Sequence, residues 1–162
     1  MSTIFERPAD LLQAVGDHLG YSQWLEIDQE RINLFADATL DHQFIHIDPE
    51  KSAELSPYKV TIAHGFLTLS LIVHLGASIK PPRPEVGDGV FMGVNYGLDK
   101  VRFLAPVLVG ARVRLHIKLI SFEKKDGPQY LMKCENTLEI ERGEKPGLIA
   151  ESLVMLVEAP SA

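Results

Sequence analysis

A carboxylate and an imidazole lie five residues apart in the most polar stretch of the sequence, residues 38–48, where they belong to Asp41 and His46. A carboxylate and an imidazole that reach the same small molecule can activate a water molecule and deliver a proton. Loops are often rich in Asp and His, however, so the same residues also fit solvated loop charges and a helix cap.

A second candidate site precedes a long apolar segment, where the sequence reads Thr61-Ile62-Ala63-His64-Gly65. The first backbone N–H groups of a helix have no partner within the helix, and the helix dipole adds positive potential there. A glycine lets a ligand approach the main chain closely. Such a helix start could bind a carbonyl oxygen as it gains negative charge. Gly65 could equally serve only to relieve crowding.

His42 and His46 stand four residues apart and could share a helical face, a spacing that also fits two metal ligands. The surrounding stretch offers no third and fourth ligand with an assignable geometry. Asp48, which precedes a proline, is better explained as a helix cap. We therefore expect no metal.

The elements that position these residues begin with helices in the first third of the chain. Pro8 suits a helix start, and apolar residues recur at helical spacing as far as Leu19. This pattern predicts an N-terminal helical extension of about residues 8–19. Asp28 is a candidate N-cap for a helix that ends near Thr39. The other predictions for this third are a short strand at residues 22–27, a polar loop at residues 40–47 and a helical turn at residues 48–56.

Residues 66–79 are apolar on nearly every side. A helix without a polar face must be surrounded by protein, so this segment is predicted to be a buried central helix. Gly76 and the pair Pro81-Pro82 mark its end.

After the central helix, apolar residues recur with a period of two, which is typical of strands. The predicted strands are residues 89–103, 112–119, 130–140 and 148–157. No helical segment separates them, so their pairing should be antiparallel. A buried helix followed by long antiparallel strands predicts an α+β domain whose sheet wraps around the helix, which is the hotdog fold. An open α+β sandwich would give the same pattern.

Bulk properties narrow the classes of protein. A chain of 162 residues fits one domain spanning residues 1–162. A net charge of −6, with no basic cluster longer than Lys124-Lys125, argues against a nucleic acid partner. The single cysteine, Cys134, excludes an intramolecular disulfide, and its alternating segment predicts a buried apolar position. The N-terminus lacks the features of a secretory signal and residues 65–79 are too short to span a bilayer, so we expect a cytoplasmic protein without a membrane partner.

Both candidate sites resemble motifs of one family. Residues 38–46 followed by Asp48-Pro49 look like the hydratase-2 motif of the MaoC-like dehydratases, which include the R-specific enoyl-CoA hydratases. Residues 62–67, Ile-Ala-His-Gly-Phe-Leu, resemble the start of that family's central helix. Residues 41–46 and 95–103 are most similar to the nodulation protein N-like branch. The similarity runs from about residue 20 to residue 157.

The resemblance implies a hotdog fold, a homodimer, and syn hydration of trans-2-enoyl-CoA to the (R)-3-hydroxyacyl thioester. It places the catalytic Asp on Asp41 and the catalytic His on His46, with the Gly65 amide taking the thioester oxygen. Many members carry Asn-Pro where this chain has Gln43-Phe44. That departure keeps the spacing of the acid/base pair and could change loop shape and acyl specificity.

Other residues are secondary candidates for contact with substrate. His64 and Ser70 lie beside the expected site, although a hydrogen bond that shapes the loop and a satisfied core serine are the commoner roles. Asn95 could steady the catalytic loop. No cofactor is expected, since CoA is part of the substrate, which is an acyl-CoA or acyl-carrier thioester. Possible ligands for CoA phosphates are Lys100, Arg102, Arg112 and Arg114, although basic residues on strands more often simply face solvent.

Two rival functions stay open on the sequence. A hotdog thioesterase would hydrolyse the same kind of substrate, but it needs a carboxylate aimed at the thioester carbon. A non-catalytic subunit could bind the acyl thioester without turning it over. Such proteins typically lose the Asp or the His, whereas this chain has both Asp41 and His46.

Overall fold

The computed structural model describes residues 8–79 and 90–159. Within these residues a 3-10 helix comes first, two short strands and four helices follow, and four long strands come last. The elements are the 3-10 helix Pro8–Ala14, β1 (His18–Tyr21), β2 (Leu25–Glu26), α1 (Gln29–Thr39), α2 (Phe44–Ile47), α3 (Pro49–Leu55), α4 (Gly65–Ala77), β3 (Val90–Phe103), β4 (Arg112–Lys124), β5 (Gln129–Ile140) and β6 (Leu148–Glu158).

One antiparallel sheet forms the frame of the domain. Its order is β1-β4-β5-β6-β3, and β2 also pairs with β4. All pairings are antiparallel, as the sequence predicted. β5 is the central strand, and β3 is an edge strand that pairs with β6 among the described strands.

The core lies between this sheet and α4, which packs against β4, β5 and β6. Alternate residues of β4 point inward, because successive side chains of a strand face opposite sides of the sheet. Those residues are fully buried, and α4 presents one row of leucines to them. The facing sets are Val113, Leu115, Ile117 and Leu119 on β4, and Leu67, Leu71 and Leu75 on α4. This arrangement confirms the predicted α+β class.

The other side of α4 is open within a single chain. Phe66 is 70% exposed and Val73 is 58% exposed, although the sequence predicted a helix surrounded by protein. An exposed apolar helix face of this kind is typical of a surface that another chain covers. Across residues 8–79 and 90–159, the helices are all too short, or not apolar enough, to cross a membrane.

The N-terminal prediction was wrong beyond Ala14. The helix stops there because Gly16 adopts φ +95°, a left-handed conformation that breaks a right-handed helix. Leu19 belongs instead to β1, where it is buried against the sheet. The predicted strand at residues 22–27 is reduced to β2. Pro81-Pro82 and Gly89 lie outside the described residues.

The two predicted aspartate caps are confirmed. Asp28 accepts a hydrogen bond from the Arg31 N–H at the start of α1, and Asp48 accepts one from the Lys51 N–H at the start of α3. Residues 40–47 were predicted to be a polar loop, but their second half forms α2. Four residues make a single helical turn, which is too short to produce a periodic pattern.

Candidate active site

Asp41 emerges where α1 ends and the chain turns back. The preceding residue, Leu40, closes α1 in the left-handed conformation with φ 63°. A non-glycine residue in this conformation costs about 1 kcal/mol or more, so tertiary contacts must hold the turn in place. The turn directs Asp41 to the side of α2 that carries His46.

His46 is buried, with 7% of its surface exposed, and its tautomer follows from its neighbour. Its Nδ1 lies 2.7 Å from the carbonyl oxygen of Ile62. A carbonyl oxygen can only accept, so Nδ1 carries the proton and donates. In the neutral ring, Nε2 therefore holds a lone pair and is available to accept a proton.

The surroundings of His46 favour this neutral form. Burial lowers the pKa of His46 below its ordinary value, and the neighbouring His64 lowers it further. The carbonyl of Ile62 and the carboxylate of Asp41 act in the opposite direction without reversing the shift. At neutral pH the imidazole is uncharged and able to act as a base.

His64 is the third member of the cluster, and only 2% of its surface is exposed. Its ring stacks on His46 with centroids 3.8 Å apart, and Phe35 lies on it at 5.0 Å. Its Nε2–H donates to the backbone carbonyl of Asp41 over 3.0 Å. His64 thus ties the Asp41 turn to the loop before α4, while its Nδ1 is buried without a partner among the described residues.

Asp41, His46 and His64 bring one ligand-type atom each within 4.8 Å of one another. Two imidazoles and a carboxylate are a donor set that catalytic zinc uses. Here, however, the two rings are stacked with an angle of 22° between their planes. A metal needs ring nitrogens that converge in the planes of their rings, so this geometry fits proton transfer better.

Gly65 begins α4, and its surroundings fit both roles suggested by the sequence, binding of a carbonyl oxygen and relief of crowding. No described acceptor bonds to the N–H of Gly65 or of Phe66, so both amides are available to a ligand. A Cβ on Gly65 would lie only 3.0 Å from Cε1 of Phe103, so crowding is real as well. Beside Gly65, a cleft of about 290 Å³ is lined by Tyr58, Phe103, Leu104, Pro106 and Val107, among others.

The remaining candidates from the sequence are not gathered at this cluster within one chain. Ser70 is exposed on α4, and its hydroxyl donates to the Phe66 carbonyl. Asn95 is exposed on β3, and the described hydrogen bonds of His46 and His64 do not include it. His42 pairs with Asp37 at 2.9 Å instead of facing His46.

The family of this chain follows from a match to a family model. Residues 10–139 match the model described as the MaoC like domain. The chain belongs to the MaoC-like domain family. It is 46% identical over 153 residues to 3-hydroxyacyl-thioester dehydratase Z of Mycobacterium tuberculosis, a match that covers 94% of this chain and 97% of the relative. It is 44% identical over 153 residues to Nodulation protein N of Rhizobium leguminosarum bv. viciae, covering 94% and 92%. The predicted resemblance is confirmed.

A solved structure with the same architecture is R-hydratase PhaJ1 of Pseudomonas aeruginosa. It superposes with a TM-score of 0.66 over 90% of this chain and 83% of that chain, at 24% sequence identity. At this sequence identity the similarity shows the fold alone. It confirms the predicted hotdog arrangement of the MaoC-like domain.

Gln29 is a residue of the MaoC-like site that the sequence did not reveal. Its Nε2 donates to the backbone carbonyl of His46 over 2.7 Å, and its Oε1 accepts from the Thr61 hydroxyl. Gln29 thereby joins α1 to α2 and to the loop before α4. In the sequence it is only the first residue of a helix, and nothing in its local pattern indicates these contacts.

Proposed function

We propose that this MaoC-like protein is a carbon–oxygen lyase acting on acyl thioesters, which adds water to a trans-2-enoyl thioester to give the (R)-3-hydroxyacyl thioester and catalyses the reverse dehydration. The observation that carries the proposal is the meeting of the Asp41 carboxylate with the buried neutral imidazole of His46, beside the unpaired amides of α4. The name of the relative at 46% identity, 3-hydroxyacyl-thioester dehydratase Z, supports the same reaction.

The chemistry follows from the electronic structure of the substrate. The thioester carbonyl withdraws electrons from the adjacent double bond, so C3 becomes electrophilic. Asp41 orients a water molecule, and Nε2 of His46 takes its proton while the oxygen bonds to C3. The electron pair of the double bond moves toward the thioester oxygen, where the Gly65 N–H stabilises the developing charge.

The imidazolium of His46 then returns the proton to C2. The net change is the addition of one water molecule, and His46 recovers its starting state. Because one imidazole serves both transfers, hydrogen and hydroxyl enter from the same face of the double bond. Both directions pass through the same transition state, so the site also serves dehydration.

The proposal includes a second copy of the chain as partner. β3 leaves one of its edges without a described strand partner, and it exposes Met92, Val94, Tyr96 and Leu98. A long apolar edge strand is a ready template for pairing with another strand. The open face of α4 adds Phe66 and Val73 to this apolar surface. A homodimer that covers both would enclose an apolar channel beside α4 for the acyl chain.

The decisive experiment follows the loss of conjugated-enoyl absorbance when the purified protein is mixed with crotonyl-CoA or a longer trans-2-enoyl-CoA. Asp41→Asn and His46→Gln should each lower kcat by about 100- to 10,000-fold, the range of an acid/base group. His42→Gln is the matched control, because His42 lies in the same loop but pairs with Asp37. It should stay within about threefold of wild type, as expected for a group outside proton transfer.

Two outcomes contradict the proposal. Release of free thiol, measured with a thiol reagent, would identify a thioesterase. Binding of the enoyl thioester by the folded protein without either reaction at any chain length would identify a binding subunit.

A further inference from the structure

Three clefts with shared wall residues lie in succession from Gly65 to the turn between β5 and β6. The cleft beside Gly65 shares Ala105 and Pro106 with a second cleft of about 470 Å³. The second shares Ile140 and residues 143–145 with a third cleft of about 450 Å³. We call these three clefts together the β5–β6 groove, because they follow the turn between β5 and β6.

The two ends of the β5–β6 groove differ in chemistry. Near Gly65 its walls are mostly apolar and include Phe103, Leu104 and Val107. At the far end, the third cleft is lined by Arg142 and Lys145. The two ends are linked through Gly147, which lines the cleft beside Gly65 and accepts a hydrogen bond from the Leu104 N–H. Lys145 lies two residues, at most about 7 Å of chain, from Gly147.

Arg142 and Lys145 are exposed, and no described carboxylate lies within ion-pair distance of either. Three of the four phosphate-ligand candidates from the sequence are already paired with carboxylates, and the fourth, Arg102, donates to the Val101 carbonyl and has no described carboxylate within ion-pair distance. Arg112 pairs with Glu141 at 3.0 Å, Arg114 with Glu139 at 2.7 Å, and Lys100 with Glu151 at 3.4 Å. Glu144 also lines the groove, so the two free cations exceed the one unpaired carboxylate there. An anion is the ligand that this end fits.

The substrate of the proposed reaction has an uncharged part next to the reacting thioester and an anion farther away, in the same order as the apolar and cationic ends of the groove. When C3 faces Asp41 and His46 and the carbonyl oxygen faces Gly65, the sulfur of the thioester points away from the acid/base pair. In biological acyl thioesters, that sulfur continues into a pantetheine arm, an uncharged stem with two amides that ends in a phosphate. An apolar stretch followed by cations matches this stem and its phosphate.

We propose that the β5–β6 groove binds the pantetheine arm of the thioester carrier, with Arg142 and Lys145 contacting its phosphate. The inference rests on the proposed hydratase function. It assigns carrier binding to the turn between β5 and β6 and not to the paired arginines of β4.

The test compares the double variant Arg142→Gln/Lys145→Gln with wild type on crotonyl-CoA and on crotonyl-N-acetylcysteamine, which lacks the phosphate. Loss of two solvent-exposed phosphate contacts should raise KM for crotonyl-CoA about 5- to 20-fold with kcat unchanged. KM for crotonyl-N-acetylcysteamine should not change. Added salt should raise the wild-type KM for crotonyl-CoA and affect the variant less.

The matched control is Lys124→Gln/Lys125→Gln, which removes the same charge at the opposite end of β5. It should leave KM for both substrates unchanged. An unchanged KM for crotonyl-CoA in the groove variant would overturn the proposal. An equal rise with the control variant, or with crotonyl-N-acetylcysteamine, would overturn it as well. Turnover of crotonyl-N-acetylcysteamine by wild type keeps these outcomes separate from a failure of the hydratase function.

A further arm identifies the source of the phosphate. Crotonyl-pantetheine 4′-phosphate carries only the phosphate that CoA and acyl carrier proteins share. If the variant shows the same rise in KM with this thioester, the groove binds the shared phosphate and accepts either carrier. If the rise is confined to crotonyl-CoA, Arg142 and Lys145 contact the nucleotide phosphates of CoA and not the phosphate of the pantetheine arm, which overturns the assignment.

Discussion

At the scale of single residues, the lowered pKa of His46 determines the pH behaviour expected of the enzyme. Burial is the largest cause of its lowered pKa, so the neutral base persists to more acid pH than for an ordinary histidine. The acid limb of kcat/KM for hydration should therefore have its midpoint below pH 6.5. Asp41→Asn removes a group that raises this pKa, so the residual activity should show a still lower midpoint. A wild-type midpoint above 6.5 would contradict the assignment of His46 as the base.

Two roles of Gly65 can be tested separately: the absence of a Cβ beside Phe103, and the backbone N–H offered to the substrate. Gly65→Ala should lower kcat strongly, because the new Cβ displaces the Phe103 ring and a misplacement of about 1 Å can cost about 100-fold. Phe103→Leu in the same chain should relieve the contact and restore most of the activity. If Gly65→Ala/Phe103→Leu remains as slow as Gly65→Ala, crowding by Phe103 is not the cause.

The amide of Gly65 can then be removed in the relieved background. Proline is tolerated at the first position of a helix and has no N–H. His64 already has φ −58° and ψ 138°, a conformation that a following proline accepts. Gly65→Pro/Phe103→Leu should lower kcat about 100- to 1000-fold relative to Gly65→Ala/Phe103→Leu, as expected for the loss of one oxyanion donor. Equal rates in the two variants would show that this N–H does not stabilise the transition state.

At the scale of elements, Gln29 holds α1, α2 and the loop before α4 in one arrangement. Gln29→Glu keeps the acceptor for Thr61 but loses the donor to the His46 carbonyl. We expect a loss of about 1–3 kcal/mol in the free energy of unfolding, the range for an unsatisfied buried group, together with a lower kcat. Acid pH protonates the carboxyl and restores a donor, so the ratio of variant to wild-type kcat should rise as pH falls. Asn33→Ala removes only the exposed partner of Gln29 and is the matched control.

The elements themselves were largely predictable wherever a pattern was long enough to repeat. The alternation in β4 and β5 predicted both the strands and their buried faces, including Cys134. The spacing of Leu19 fitted a helix only because the effect of Gly16 on the backbone is not visible in a hydrophobic pattern. α2 is too short to have a period.

The site was predictable in part for the same reason. Asp41 and His46 share one local motif, so their spacing predicted that they meet. The contribution of His64 depends on where a separate loop folds, and its stacking on His46 is a tertiary contact without a local signal. Gln29 reaches the site from a helix whose sequence is ordinary. The sequence thus predicted that Asp41 and His46 meet and that His64 makes a hydrogen bond that shapes the loop, but it gave no signal for Gln29.

At the scale of the whole molecule, the exposed apolar residues of β3 predict the assembly. Wild type should be a dimer of about twice the 18.0 kDa chain mass in sedimentation or light scattering. Val94→Lys/Tyr96→Lys places two charges on the edge strand and should yield monomers with reduced activity. Leu34→Lys adds a charge at an exposed leucine of α1 and should remain dimeric. A monomeric wild type with full activity would exclude the dimer as a requirement.

Alkylation of the single cysteine can measure how often the sheet opens. Cys134 lies on the central strand of the sheet and has 1% of its surface exposed, so a thiol-alkylating reagent reaches it only when neighbouring strands separate. Its alkylation rate in native buffer, divided by the rate in denaturant, should therefore equal the equilibrium fraction of open molecules and fall with added enoyl thioester. Alkylation at the unfolded rate without denaturant would mean that the centre of the sheet opens without global unfolding.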